Sequence, residues 1–323
     1  MEFAKDAKYI FKSSCSHIGY LEINSDGGFL YIDKNLFPIK SRFWWDEIGG
    51  LSGLDCSGHA EESKEYQKKL ISLVVRSNAG SISSDIFDFM KFDDISGCSY
   101  FRTNRGSPDL YKKSFESKSF IDEFRSFYNI YQGMEDIFKV VEPRKENLDS
   151  FGHKIREVLT IACTEVEYLL RQYLVDNKYG SGKDRFTTKD YVSVLPCLRL
   201  NEFSVQLSMH PELGVFSPFK DWSLDSPTKS LNWYDSYNAA KHDRGNNFQR
   251  ASLKALVNSV AAIHILLVSQ YGVEVFINPL FSKYESCFDT HSVPEWPLNE
   301  LFFPSFSEND DINWLTDVPC LAD

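Results

Sequence analysis

No two cysteines in this chain stand at the C-x-x-C spacing of a zinc knuckle or redox motif, and their odd total of seven suits no disulfide framework. Cys15, Cys56, Cys98, Cys163, Cys197, Cys287 and Cys320 stand singly, which predicts free thiols in a reducing cytoplasm. A membrane-length apolar run is missing too. The longest stretch, Ala255 to Val268, is broken by Asn258, Ser259 and His264, short of the roughly 20 residues that span a bilayer. Met1-Glu2-Phe3-Ala4-Lys5-Asp6 lacks the apolar segment of a signal peptide. The expectation is a cytoplasmic protein without membrane contact. His17, His59, His210 and His291 have no second ligand at metal spacing, so neither metal nor cofactor is expected. No internal repeat is present.

Positive charge is also in short supply, with a net charge of −11 over 323 residues. Its distribution matters more than its total. From Glu274 to Asp323 one base, Lys283, faces ten acids, whereas from Lys139 to Arg199 bases slightly outnumber acids. A nucleic-acid binder needs a local basic face rather than a basic sum. What is abundant is aromatic: 15% of residues, with 26 phenylalanines, beside an ordinary apolar fraction of 42%. Global disorder is excluded.

The patterning predicts an α+β protein: a mixed, strand-rich N-terminal domain over 1–118, a connecting amphipathic helix over 119–143, an all-α bundle over 144–273 and an extended acidic tail over 274–323. Tyr20–Ile23 and Phe29–Ile32 flank Asn24-Ser25-Asp26-Gly27-Gly28, whose Asp-Gly-Gly suits a hairpin turn. Leu70–Val75 is short and β-branched enough for a strand, and Ile86–Phe92 alternates like another. Gly49-Gly50 and Ser52–Ser63 read as loop. Phe120, Phe124, Phe127, Tyr131 and Met134 then recur at helical spacing up to the stop at Pro143. Asp149 or Ser150 is placed to cap a helix with the inward stripe Ile155, Leu159, Ala162, Val166, Leu169 and Tyr173. A short helix follows Thr187-Thr188, and Pro211, Pro218 and Pro227 mark a long connection. A helix through Leu231 to His242 follows, interrupted at Gly245-Asn246-Asn247. A last long helix, Phe248 to Tyr271, turns Leu256, Val260, Ile263, Leu267 and Tyr271 inward and stops at Gly272. The proline- and aromatic-containing tail predicts extended chain over the surface.

The candidate site is Trp233-Tyr234-Asp235-Ser236-Tyr237-Asn238-Ala239-Ala240-Lys241-His242-Asp243-Arg244. Asn238 and His242, four apart, share one helix face. The His242 imidazole can exchange a proton with a ribose hydroxyl, while Lys241, Arg244 and Arg250 can hold a phosphate. The same residues also make an ordinary helix end, with His242 and Arg244 complementing the dipole and Asn238 capping a turn.

Three segments together resemble HEPN-superfamily domains over about residues 145 to 273: Phe151-Gly152-His153-Lys154-Ile155-Arg156-Glu157 through Cys163-Thr164-Glu165-Val166-Glu167, then Trp233 to Arg244, then the closing helix. Those domains are small helical bundles, often dimeric, many of them metal-independent RNases of toxin, CRISPR and phage-defence systems. The Tyr-Asn-x-x-Lys-His-Asp-Arg segment is similar to that of an uncharacterised bacterial branch. The family pattern is arginine, a polar residue, spacers and a histidine. Asn238 matches the polar position and His242 the histidine, but Tyr237 stands where the arginine belongs. The resemblance implies RNA as partner, His242 and Asn238 as catalytic residues, and Lys241, Arg244, Tyr237 and Arg156 as substrate contacts. It implies a homodimer, with Ala239 and Ala240 small enough for close approach near the two-fold axis. A non-catalytic module for RNA or protein is the alternative implied by Tyr237. The N-terminal domain or the acidic tail is then the place for a protein partner.

Two weaker patterns point elsewhere. Asp109, Glu116 and Lys118 mimic a PD-(D/E)xK metal-dependent nuclease, at a separation short for adjacent strands. Gly180-Ser181-Gly182-Lys183 imitates a phosphate loop, but Asn177 and Asp184 break its pattern, which leaves a helix connection.

Overall fold

Alternation of inward and outward side chains organises the first strands. The computed structural model describes residues 7–14, 17–24, 27–32, 35–39, 63–79, 85–92, 100–105, 118–180, 182–277, 285–301, 305–306 and 312–313. The chain divides into two units. One comprises Met1–Cys98, Arg105–Leu110 and Trp296–Thr316; the other comprises Ser99–Asn104, Tyr111–Glu295 and Asp317–Asp323.

In the first unit, β1 (Ala7–Ser13), β2 (Ile18–Asn24), β3 (Gly27–Ile32), β4 (Asn35–Ile39) and β5 (Ile86–Phe92) form an antiparallel sheet in the order β4-β3-β2-β1-β5. The expected hairpin is there, with Asn24 opposite Gly27 and Ile23 opposite Gly28. Tyr9, Phe11, Leu21, Ile23, Leu30 and Ile32 fill one face of the sheet; Ile10, Tyr20 and Tyr31 fill the other, where Leu301 covers them. Two-sided burial follows from the period of two along each strand. Phe11 stands opposite Gly19, and its ring lies 2.2 Å from where a Cβ on Gly19 would sit. The ring therefore fills the space that the glycine leaves.

Leu70–Val75 is not a strand. It lies within helix α1 (Lys64–Ala79), which buries Tyr66, Leu70, Ile71, Val74 and Val75 against the first sheet face. Six residues, five of them apolar, are too few to separate the two periods, and the helical one shows only when Tyr66 is included. The loop expected around Gly49-Gly50 and Ser52 lies outside the described residues.

In the second unit, α2 (Lys118–Phe138), α3 (His153–Asp176), α4 (Thr188–Tyr191), α5 (Leu195–Leu198), α6 (Asn232–His242), α7 (Arg244–Asn247), α8 (Leu253–Tyr271) and α9 (Glu274–Ile277) are joined by β6 (Ser204–Leu207), β7 (Val215–Phe216) and β8 (Phe288–Ser292). The last three make a small antiparallel sheet in the order β7-β6-β8. The 119–143 helix is a core element rather than a connector. Phe120, Phe124, Phe127, Ile130 and Met134 are buried in one cluster with α3 and α8. The expected boundary at Pro143 thus falls inside this unit. The tail also divides: Phe288–Ser292 adds a strand to the small sheet, and Trp296–Thr316 belongs to the first unit.

The α3 stripe is buried as its spacing predicts, but its N-cap is Gly152, not Asp149 or Ser150. Phe151 is instead drawn into an antiparallel bridge with Ser252. Helix α8 starts at Leu253, capped by the Ser252 hydroxyl, which accepts from Ala255 N at 3.3 Å. It is buried almost all round rather than on one stripe. By length and composition it could cross a membrane, yet 89% of its apolar window lies inside the protein.

Several buried polar groups inside this unit are paired. The Arg102 guanidinium donates to Glu123 Oε1 at 2.7 Å and to Asp176, while the Tyr271 hydroxyl donates to Glu123 Oε2 at 2.6 Å. Burial opposes the Arg102 charge, but Tyr271, Glu123 and Asp176 outweigh it and keep its pKa raised. His264 is wholly buried, with Nδ1 2.8 Å from Ser286 Oγ, Nε2 3.0 Å from Thr290 Oγ1, and its ring stacked on Phe276 at 4.5 Å. Burial lowers its pKa from 6.5 to about 3.

Two outcomes test this fold. Gly19→Ala forces the buried Phe11 ring to move and should destabilise the first unit by about 1–3 kcal/mol in chemical denaturation. His264 is neutral in the folded state down to about pH 3, whereas the unfolded chain protonates it near 6.5. Its contribution is therefore intact above pH 6.5 and is lost as pH falls from there toward 3. The urea midpoint should drop across that window, and His264→Gln should flatten the drop.

Candidate functional site

Helix α6 is fixed by its aromatic residues. Trp233, Tyr234, Tyr237 and Ala240 form its buried face, spaced to stay on one side of a helix. Trp233 Nε1 donates to Pro218 O at 2.9 Å. The Tyr234 hydroxyl donates to Glu167 Oε1 on α3 at 2.6 Å, and burial, then Glu167, raises the phenol's pKa. These bonds set the rotation of α6 and hence the face it shows to solvent.

That face carries the predicted residues. His242, the last helical residue, is exposed, as are Lys241 and Arg244; Asn238, one turn earlier, is half-buried. Tyr237 is 2% exposed, and its hydroxyl accepts from Lys241 Nζ at 2.8 Å. The ammonium also lies 5.0 Å from the Tyr237 ring centre. The hydrogen bond to Tyr237 raises the Lys241 pKa against a smaller opposing effect of burial, so this side chain is a cation at neutral pH. Where the family pattern has arginine, the structure has a buried tyrosine that holds a lysine.

Arg156 is half-buried on α3, on the same stripe as Cys163 and Glu167 at positions i, i+7 and i+11. The charge of Lys241 acts on Cys163, whose thiol burial pushes well above its usual range. A thiol so buried is not a nucleophile. Arg250, expected at a phosphate, is paired with Asp235 at 2.6 Å. Gly245-Asn246-Asn247 is not a plain interruption. Asp243 caps the one-turn helix α7, its carboxylate accepting from Asn246 N at 3.4 Å and from the Asn246 and Asn247 side chains. His242 therefore ends one helix at the point where the next begins. Among the described residues, neither the His242 imidazole nor the Asn238 amide has a hydrogen-bond partner. Ala240 is buried in the unit's own core, so of the two alanines only Ala239 reaches outward.

The other patterns separate. Lys183 is paired with Asp190 of the Thr187/Asp190 capping box, which engages its ammonium away from any phosphate loop. Asp109 and Glu116 lie outside the described residues. Among the described residues no group of three or more His, Cys, Asp or Glu side chains could hold a metal ion. Glu167 and the Arg102 network were not singled out in the sequence. The 156–160–163–167 spacing could have marked Glu167, but nothing in Tyr100–Arg105 marks Arg102 as buried.

Comparison of the chain with protein-family models, with curated proteins and with solved structures found no match.

The Lys241–Tyr237 bond makes a direct prediction. Tyr237→Phe removes the acceptor that favours the charged lysine, so the Lys241 pKa should fall. An NMR titration of the lysine side chains that finds it unchanged would show that the bond does not form in solution.

Proposed function

We propose that the helical unit is a HEPN-like, RNA-acting module of the cytoplasm, of the kind used in bacterial stress or phage defence, and that it cleaves RNA without a metal at His242. One observation carries this reading: Tyr237 fixes a lysine cation beside the half-buried Asn238 and the exposed His242. That restores the charge which the arginine position lacks. In this chemistry the His242 imidazole takes the proton of a ribose 2′-hydroxyl as its oxygen bonds to the adjacent phosphorus. The 5′-oxygen leaves, takes a proton from water, and a 2′,3′-cyclic phosphate remains. Lys241 and Arg244 offset the charge that builds on the phosphoryl oxygens, and Asn238 offers an amide donor on the same face. A homodimer through the α6 face would double the positive charge of the cleft.

A second reading, binding of RNA or a protein without cleavage, is favoured by one feature. A general base is ordinarily oriented by a third group, and His242 has none among the described residues.

The test is RNA cleavage in EDTA. His242→Ala should lower the rate about 10²- to 10⁴-fold, the usual worth of a general base, with the fold kept because the side chain is exposed. Arg244→Ala should weaken binding and cleavage together and reduce the salt slope of single-strand affinity by about 0.7. Cleavage that survives His242→Ala, or stops in EDTA, sinks the enzyme reading.

A further inference from the structure

Two distant stretches of chain meet beside the α6 site. Leu253 N donates to Ser150 O at 2.8 Å, Lys254 N donates to Leu148 O at 2.7 Å, and Phe151 bridges Ser252. This joins 148–151 to 252–254, within the stretches 144–156 and 244–254. The first stretch has four bases (Arg144, Lys145, Lys154, Arg156) against two acids, Glu146 and Asp149; the second has three bases (Arg244, Arg250, Lys254) and no acid. In a chain of net charge −11 that is a local reversal of sign. Lys154 and Arg250 are spoken for by Glu157 and Asp235. Arg144, Lys145, Arg244 and Lys254 are exposed and make no ion pair among the described residues.

Rings stand among these cations. Phe151 is 52% exposed, its ring centre 5.7 Å from that of Phe248, and the His153 ring lies 4.8 Å from Phe248. A phenylalanine held half in solvent, with its edge fixed by a second ring, costs apolar exposure that the fold does not require. Phe248 follows Arg244 by four residues, and Arg244 follows His242 by two.

We propose that this junction is a stacking subsite for single-stranded RNA: one base lies on the open side of Phe151, while Lys145 and Lys254 hold its neighbouring phosphates and Arg244 leads the strand toward His242. The inference rests on the RNA-acting reading and names the form of RNA. Only an unpaired base can leave its neighbours to stack on a side chain, whereas a duplex offers such a surface phosphates alone. An acidic peptide would satisfy the cations but has no use for the ring.

The test uses the full chain and a fluorescent 2′-O-methyl oligouridine of about 12 nucleotides, within the usual site size. Its blocked hydroxyl keeps binding apart from cleavage. Phe151→Ala should weaken anisotropy-measured affinity about tenfold, as loss of one base–aromatic stack does. Phe151→Trp should keep it. Phe151→Leu retains the apolar contact with Phe248 and should still lose affinity, which guards against a folding defect in the alanine variant. Lys145→Glu with Lys254→Glu should lower the salt slope by about 1.4, two single-strand phosphate contacts. Undiminished affinity in both Phe151→Ala and Phe151→Leu would overturn the subsite, as would equal loss of affinity for the paired duplex. Polyglutamate binding that depends on Lys145 and Lys254 but not on Phe151 would assign the surface to an acidic protein instead. Absence of cleavage in the native protein, with its affinity for the oligonucleotide intact and dependent on Phe151, would sink the nuclease and leave the subsite standing.

Discussion

A helix apolar on every side has to be enclosed, and α8 places the rest of the helical unit. Its residues from Leu253 to Tyr271 are nearly all buried, so α2, α3, α6 and the β6–β8 strands are arranged as its cover. The few polar groups caught inside have to be matched. His264 finds two hydroxyls, Glu123 finds Tyr271 and Arg102, and Asn177 bonds Phe101 N, Phe101 O and Tyr173 O. Removing one partner of a buried ion pair costs about 3–5 kcal/mol, because the other charge stays buried. Arg102 therefore ties α2, α3 and the end of α8 with a single side chain.

The site inherits its geometry from that cover. Tyr234 reaches Glu167 on α3 and Trp233 reaches Pro218, which fixes the rotation of α6. With those rings turned inward, Lys241, Asn238 and His242 are left outward. Tyr237 does both jobs, filling the core with its ring while its hydroxyl holds the lysine at the surface. Binding chemistry and packing thus share one residue.

The helices were legible because their apolar residues repeat over several turns, as Ile155 to Tyr173 do on α3. The hairpin was legible from turn residues between two strand-like runs, although Gly27 and Gly28 belong to β3 rather than to the turn. Leu70–Val75 misled because its six residues fit either period. The β6–β8 pairing could not be read at all, since Ser204–Leu207 and Phe288–Ser292 lie far apart in the chain and each is too short to alternate visibly. At the site, the Asn238–His242 face followed from helical spacing. The Tyr237–Lys241 bond did not, because spacing says that residues four apart can meet but not which of them is buried.

The first unit is assembled from stretches that the ribosome makes far apart in time. Ile10, Tyr20 and Tyr31 emerge early, and Leu301, which covers them, emerges after the helices of the second unit. One sheet face must therefore stay open through most of synthesis, a natural place for a chaperone to hold the nascent chain. Ribosome stalling or premature release before Leu301 would yield a chain with a finished bundle and a sticky, half-covered sheet.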